Sequence, residues 1–211
     1  MKNSIKRKSL LSLLTNWLVS MSTEEQILRV AQEVFYRKGL SGARMQEIAD
    51  AAGINKAMLH YYFKTKEQLF DKVFASAFEV FSGKIAQILN SDEPLHDKIA
   101  AYVNHTIDVL QSEPGIPLFV LHELTMNPQR ITQLFADPTK INVKVFNDQV
   151  KEISEGKVDP ENLFTDMVAL CIYPFITAPI LGKLFHKTDQ QYSKWLNKRK
   201  SYVIAELLNK L

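Results

Sequence analysis

The densest group of side chains able to do chemistry lies in residues 53–66, GINKAMLHYYFKTK: Lys56, Lys64 and Lys66, with Asn55, His60, Tyr61 and Tyr62 between them and no carboxylate. Ammonium, amide, imidazole and phenol groups donate to phosphate oxygens and to base edges. A stretch without Asp or Glu cannot pair carboxylates for acid–base catalysis or bind a hard cation. These residue types therefore suit contact with a polyanion. The rest of the chain offers little reactive chemistry. No two of the five histidines stand at i, i+4, Cys171 is the lone cysteine, and neither a glycine-rich phosphate loop nor a nucleophile elbow occurs. No metal, no cofactor and no enzymatic activity are expected.

Such a surface needs a rigid support, and the flanking sequence supplies one. Met45, Ile48, Ala49 and Ala52 recur at helical spacing, and Gly53 follows where a helix ends in a residue of positive φ. Small Ala49 and branched Leu59 allow two short helices to cross closely. Asn55 stands at the N-cap of the second. The pattern is a helix-turn-helix, with its second helix meant for a DNA major groove. Lys56 is then the first choice for a base or phosphate contact, with Asn55, Ala57 and His60 beside it. Tyr61, Tyr62, Lys64 and Lys66 are expected on phosphates, and Arg44 meets a phosphate by charge. Phe63 belongs to the core, and one of the two tyrosines is an alternative core residue.

GINKAMLHYYFKTKEQLF resembles the glycine-serine-lysine-x-x-leucine-tyrosine-x-tyrosine/histidine-phenylalanine-x-x-lysine-glutamate-x-leucine block of TetR/AcrR-type transcriptional regulators. The resemblance is strong over about residues 23 to 72. It implies an all-α protein whose three-helix DNA-binding domain is joined by a long helix to a helical domain for ligand binding and dimerisation. It further implies a ligand-responsive regulator, expected to be a repressor, that binds a pseudo-palindromic operator as a dimer and leaves it when a small molecule enters the second domain. A ligand-independent architectural DNA-binding dimer is the alternative. Two positions depart from the pattern. Arg44 stands where a capping threonine is common, which leaves Ser41 as a substitute cap, and His60 stands where tyrosine is common.

Composition agrees with a helical globular chain: 211 residues, 46% hydrophobic, seven glycines, eight prolines and no long β-type alternation. The single cysteine excludes an internal disulfide framework and suits a reducing cytoplasm. The net charge of +3 is weak support for DNA binding, because Lys2, Lys6, Arg7 and Lys8 supply it and the remaining chain is slightly acidic. Residues 1–21 combine that basic start with an apolar stretch from Leu10 to Val19. They read as an N-terminal extension, with an amphipathic helix or an export signal as alternatives, and they are too short in apolar residues to span a membrane.

Domains are expected at 22–70 and 71–211. Ser22 with Glu25, or Thr23 with Gln26, opens a first helix whose buried face (Ile27, Leu28, Ala31, Val34, Phe35) ends at Gly39. Thr65 with Gln68 opens a long helix from Lys66 to Asn90, striped by Leu69, Phe70, Val73, Phe74, Ala77, Phe78, Phe81, Ile85 and Ile88. Residues 91–94 stop it, with Ser91 and Asp92 as caps for the next. Further helices are predicted at 95–111, 117–126, 129–136, 139–154, 161–185 and 190–210, Pro174 and Pro179 kinking or breaking the fifth of these. A small-molecule effector pocket would draw on Tyr102, His105, Phe119, His122, Glu123, Met126, Phe135, Phe146, Tyr173 and Phe175, a set that also describes an ordinary core. The last two helices, with Tyr192, Trp195, Leu196, Tyr202, Val203, Leu207 and Leu208, are the expected homodimer surface, and burial within one subunit is the competing reading.

Overall fold

The computed structural model describes residues 22–129 and 142–211. Expectations for residues 1–21, for the segment at 130–141 with Phe135 and Pro138, and for the Phe81 side chain lie outside the described residues. Ten helices and no strand occur among them: α1 (Thr23–Gly42), α2 (Met45–Ala51), α3 (Lys56–Tyr62), α4 (Lys66–Asn90), α5 (Leu95–Ser112), α6 (Ile116–Met126), α7 (Lys144–Ile153), α8 (Pro160–Ile176), α9 (Ala178–Leu184) and α10 (Asp189–Leu208). The chain divides into two compact units between Val73 and Phe74, three residues beyond the expected boundary and inside α4.

The first unit is built on α1. Ser22 and Glu25 form the expected reciprocal box: Ser22 Oγ accepts from the Glu25 N–H at 3.2 Å, and Glu25 Oε2 accepts from the Ser22 N–H at 2.8 Å. Two backbone donors that a helix start leaves unpaired are thereby satisfied. Ile27, Ala31, Val34 and Phe35 are buried, and the Phe35 ring meets Phe70 of α4 edge-on at 4.9 Å. Gly39 adopts φ 65°, so α1 bends there and continues as a last turn to Gly42 instead of stopping. Lys38 and Arg37 of α1 pair with Glu47 of α2 at 2.7 and 3.2 Å. The Lys38 hydrogen bond, with the charge of both cations, holds the Glu47 carboxyl below its ordinary range.

The second unit takes up the remainder of α4, which buries Phe74, Ala77, Ile85, Ile88 and Leu89. The turn after α4 differs from expectation. Ser91 Oγ donates back to the Ile88 carbonyl at 2.9 Å, closing α4, and Pro94 itself is the N-cap of α5 with no side-chain hydrogen bond. Lys98, buried, donates to the Leu89 carbonyl at 3.3 Å. Burial lowers its pKa, opposed by Asp92 and Glu93. This cation lies at the negative end of α4, where the helix dipole favours it.

The apolar segment from Pro160 onward breaks as its prolines predict: α8 and α9 meet at Thr177 with a bend of 71°. Pro174 has no N–H to give to the Leu170 carbonyl four residues back. Arg199 of α10 donates to that oxygen at 3.4 Å, and Tyr192 of α10 donates its hydroxyl to the Pro174 carbonyl at 2.6 Å. The last helix thus supplies donors the break removed. It is pinned further by Lys200 with Asp108 of α5 and Lys210 with Asp166 of α8. No single helix among the described residues is long and apolar enough to cross a membrane.

Candidate nucleic-acid interface

The turn between α2 and α3 follows from Gly53. With φ at 67°, Gly53 lets its own N–H reach the Asp50 carbonyl at 3.1 Å while the Ile54 N–H reaches the Ala49 carbonyl at 3.0 Å. This pair of bonds is a Schellman ending, which satisfies two terminal carbonyls and turns the chain sharply. Gln26 of α1 secures the same corner by donating to the Ala52 carbonyl at 2.8 Å. Ala49 and Leu59 are both fully buried, so the small residue and its larger partner take the interior positions expected of them.

Asn55 then starts α3. Its Oδ1 accepts from the Met58 N–H at 2.7 Å, as an N-cap requires. Leu59 is the one buried residue of α3, and Phe63 behind it is also buried. Asn55, Lys56, Ala57, Met58, Tyr61 and Tyr62 are exposed, and His60 is half-buried. Both tyrosines therefore face solvent, Tyr61 at 74% and Tyr62 at 38%, so neither belongs to the core. Their rings meet edge-on at 5.4 Å, and the Lys64 ammonium lies 5.7 Å from the Tyr61 ring centre. A basic and aromatic surface results at the C-terminal end of α3.

Three site residues carry details not legible in the sequence. Lys66 is half-buried and donates to the Ala43 carbonyl at 3.1 Å, so part of its hydrogen-bonding capacity ties α4 to the entry of α2. His60 Nδ1 lies 3.2 Å from the Lys64 carbonyl, which fixes that nitrogen as the donor and leaves Nε2 for an outside partner. Arg44 is exposed at the N-cap of α2, and no side chain caps that helix, Ser41 included. Thr65 and Gln68 form half of a box: Thr65 Oγ1 accepts from the Gln68 N–H at 3.1 Å, but Gln68 Oε1 accepts from Lys64, one residue early. Met58, 42% exposed on the same surface, was not among the sequence-predicted contacts. Its apolar character hid it, although the helical spacing from Asn55 and Tyr62 places it on the outward face.

The effector candidates are dispersed through the second unit. Tyr102 and Phe146 are buried and each meets the Phe164 ring edge-on, at 6.3 and 6.2 Å between ring centres, and Phe119 is buried against Phe74 at 5.7 Å. Phe175 is also buried. Burial pushes the Tyr102 phenol well above its ordinary pKa. Buried Glu123 accepts from Asn127 Nδ2 at both carboxylate oxygens, 3.1 and 2.9 Å. His105 is half-buried and is kept below its ordinary pKa by burial and by the Lys84 charge, with Asp108 opposing. His122, Met126 and Tyr173 lie on the surface, Met126 at 66% and Tyr173 at 60%. They are exposed while Phe119, Glu123 and Phe175 of the same helices are buried, so the described candidates do not all face one buried site. Cys171 is buried and pushed up to about 12 by that burial, which makes it an inert thiol. Among the described residues no cluster of His, Cys, Asp and Glu could hold a metal ion.

On the last helices, Tyr173, Ile180, Leu184, Phe185 and Tyr202 are large apolar side chains left exposed, and α9 buries none of its residues.

Residues 27–73 match the family of bacterial regulatory proteins, tetR family. Among curated proteins, the chain is 27% identical to the HTH-type transcriptional regulator LuxR of Vibrio harveyi over 167 residues, 76% of this chain and 81% of that one. It is 28% identical to the HTH-type transcriptional regulator RutR of Escherichia coli over 149 residues, 66% of this chain and 68% of that one. A solved structure of the transcriptional regulator FadR from Bacillus subtilis in complex with stearoyl-CoA superposes with a TM-score of 0.59 at 15% identity, covering 85% of this chain and 96% of that one. At that identity the likeness establishes the fold alone.

Proposed function

We propose that this chain, a transcriptional regulator of the TetR family and not an enzyme, acts as a cytoplasmic homodimer that represses transcription from a pseudo-palindromic operator until a small molecule binds its second unit. The observation that carries the DNA reading is the surface of α3. Every exposed large hydrophobic side chain in the described part of the first unit, Met58, Tyr61 and Tyr62, stands on this one seven-residue helix. They lie among Asn55, Lys56, Ala57, His60 and Lys64, and no carboxylate occurs in α3. A solvated helix has no use for such a surface, whereas a groove-entering helix does.

In this reading Lys56, Asn55 and Ala57 approach base edges, Met58 offers an apolar face to a thymine methyl, and Arg44, Tyr61, Tyr62, Lys64 and the remaining capacity of Lys66 fix register on phosphates. Two copies are needed, because one short helix specifies few base pairs, and two reading helices match half-sites about 34–36 Å apart or a multiple of that spacing. The exposed apolar residues of α8, α9 and α10 are the dimer surface. Effector response is supported by the stearoyl-CoA complex of a protein of the same fold. A ligand that prefers one conformation of the second unit shifts the population by its difference in affinity, and α4, common to both units, is the element through which that bias passes.

The test is selection of binding sequences from a random duplex library by the purified protein, followed by gel-shift titration of the Lys56→Ala variant. An inverted repeat should emerge, and Lys56→Ala should weaken binding to it. Unchanged affinity at physiological salt removes Lys56 from the interface and with it the placement of α3.

A further inference from the structure

We propose that His60 is a specificity-determining residue of the operator contact: with its ring neutral, Nε2 accepts a hydrogen bond from an exocyclic amino group of adenine or cytosine in the major groove. This role rests on the placement of α3 in the groove proposed above, and the closing experiment checks that placement separately.

The ring is oriented from behind. Its Nδ1 lies 3.2 Å from the Lys64 carbonyl, and a carbonyl oxygen has no proton to give, so Nδ1 carries the hydrogen. In a neutral imidazole one nitrogen donates and the other accepts, so a proton on Nδ1 leaves the lone pair on Nε2. Nε2 has no partner among the described residues. The half-buried ring is thus tied at one nitrogen and presents the other in a fixed position, which lowers the entropy lost when a partner arrives. His60 follows Lys56 by four residues and Ala57 by three, so it continues the side of α3 whose first turn approaches the base edges. The small Ala57 beside it allows a close approach.

The chemistry of this surface divides accordingly. The ammonium groups of Lys56 and Lys64 can only donate, and the phenols of Tyr61 and Tyr62 donate well to phosphate oxygens. A lone pair on His60 would meet a phosphate oxygen with repulsion, whereas adenine N6 and cytosine N4 are donors on the major-groove edge. Protonation abolishes this acceptor, because both nitrogens of an imidazolium are donors. The charged groups on the elements around the ring are Lys56 on its own helix, Lys64 and Lys66 after it, Glu67 at the start of α4, and Arg44, Glu47 and Asp50 at α2. Glu47 is held by Lys38 and Arg37, and Asp50 accepts from Gln46 at 2.7 Å. His60 forms an ion pair with none of these carboxylates.

The experiment removes one base atom at a time from the selected operator. Each adenine of a half-site is replaced in turn by the unsubstituted purine nucleotide, and each cytosine by the pyrimidin-2-one nucleotide, both of which lack the exocyclic amino group. At one position the loss of affinity should be about tenfold for the parent and absent from His60→Ala, the difference being the coupling of the two groups. Replacing a purine N7 by carbon removes an acceptor and should show no such coupling. The ratio of affinities for intact and amino-free operator should shrink toward unity as pH falls from about 7.5 to about 5.5, because an imidazolium has no lone pair. In His60→Gln, whose amide oxygen accepts throughout that range, the ratio should stay constant. Should His60→Ala melt below the parent, the pH profiles of the parent and of His60→Gln decide the matter. Lys56→Ala is measured alongside. If it weakens binding while no amino group couples to His60, the role of His60 is overturned and α3 stays in the groove; if it leaves binding unchanged, both fall. Coupling to a purine N7, or a ratio that grows as pH falls, would make His60 a donor and overturn the proposal as well.

Discussion

Asn55 has two roles in the account above, and three substitutions separate them. Its Oδ1 accepts the Met58 N–H at 2.7 Å and so closes the first turn of α3. In Asn55→Ala that N–H loses its partner, but Asn55 and Met58 are both exposed, so water replaces the bond. The cost is that of an exposed cap, about 1 kcal/mol, and not the larger penalty of a buried orphan. For a chain of this size that lowers the melting temperature by roughly 2–4 °C. Asn55→Ser restores the cap and should restore the melting temperature. Asn55→Asp caps as well as asparagine and adds a favourable charge at the helix N-terminus, so its stability should equal or slightly exceed that of the parent. It also adds an anion where α3 is proposed to enter the groove. Operator affinity should therefore fall in Asn55→Asp while stability holds, and fall more at low salt, where phosphate repulsion is least screened. Calorimetry and gel shift on the same samples read both quantities. If Asn55→Ala melts with the parent, the cap is not stabilising α3; if Asn55→Asp binds operator like the parent, the N-terminus of α3 does not approach DNA.

Further outcomes follow from single features. Tyr192→Phe leaves the Pro174 carbonyl without its hydroxyl partner and should cost about 1–3 kcal/mol, read as a lower urea midpoint at unchanged slope. Gly53→Ala meets no atom within 4 Å, so any loss comes from its φ of 67° alone; it should amount to about 1–2 kcal/mol and be smaller for Gly53→Asn. His105 is held below its ordinary value of 6.5 in the folded protein, so the unfolded chain takes up more protons as acidity rises. Its contribution to stability is complete above about 6.5 and is lost as pH falls below that value. His105→Gln should flatten the decline of the urea midpoint between pH 7 and 5, and parallel curves for the two proteins would exclude His105 as its source.

Much of this structure was readable because it depends on neighbours in sequence. Gly53, Asn55 and the Ser22–Glu25 box act within a few residues, and their bonds occur where the residue types require them. The break near Pro174 and Pro179 is equally local, since a missing N–H is a property of the residue itself. What could not be read depends on partners far along the chain. Nothing near Lys66 announces the Ala43 carbonyl, 23 residues away, and nothing near Leu170 announces Arg199. The effector candidates failed to converge for the same reason. Aromatic type is visible in the sequence, but whether Phe146 turns inward and Tyr173 outward is decided by which helices pack on α8. Ser91 shows the limit even at short range: a serine between two helices can serve either, and its hydroxyl serves the one behind it.

The donors that Arg199 and Tyr192 bring to α8 also impose an order on synthesis. The first unit has its own caps and core by Val73 and can be complete while the ribosome is still far upstream of α10. α8 has no such independence: between the emergence of Ile176 and that of Arg199, the carbonyls of Leu170 and Pro174 wait without the side chains that satisfy them. During that interval the apolar segment 163–185 is held without the donors that α10 brings.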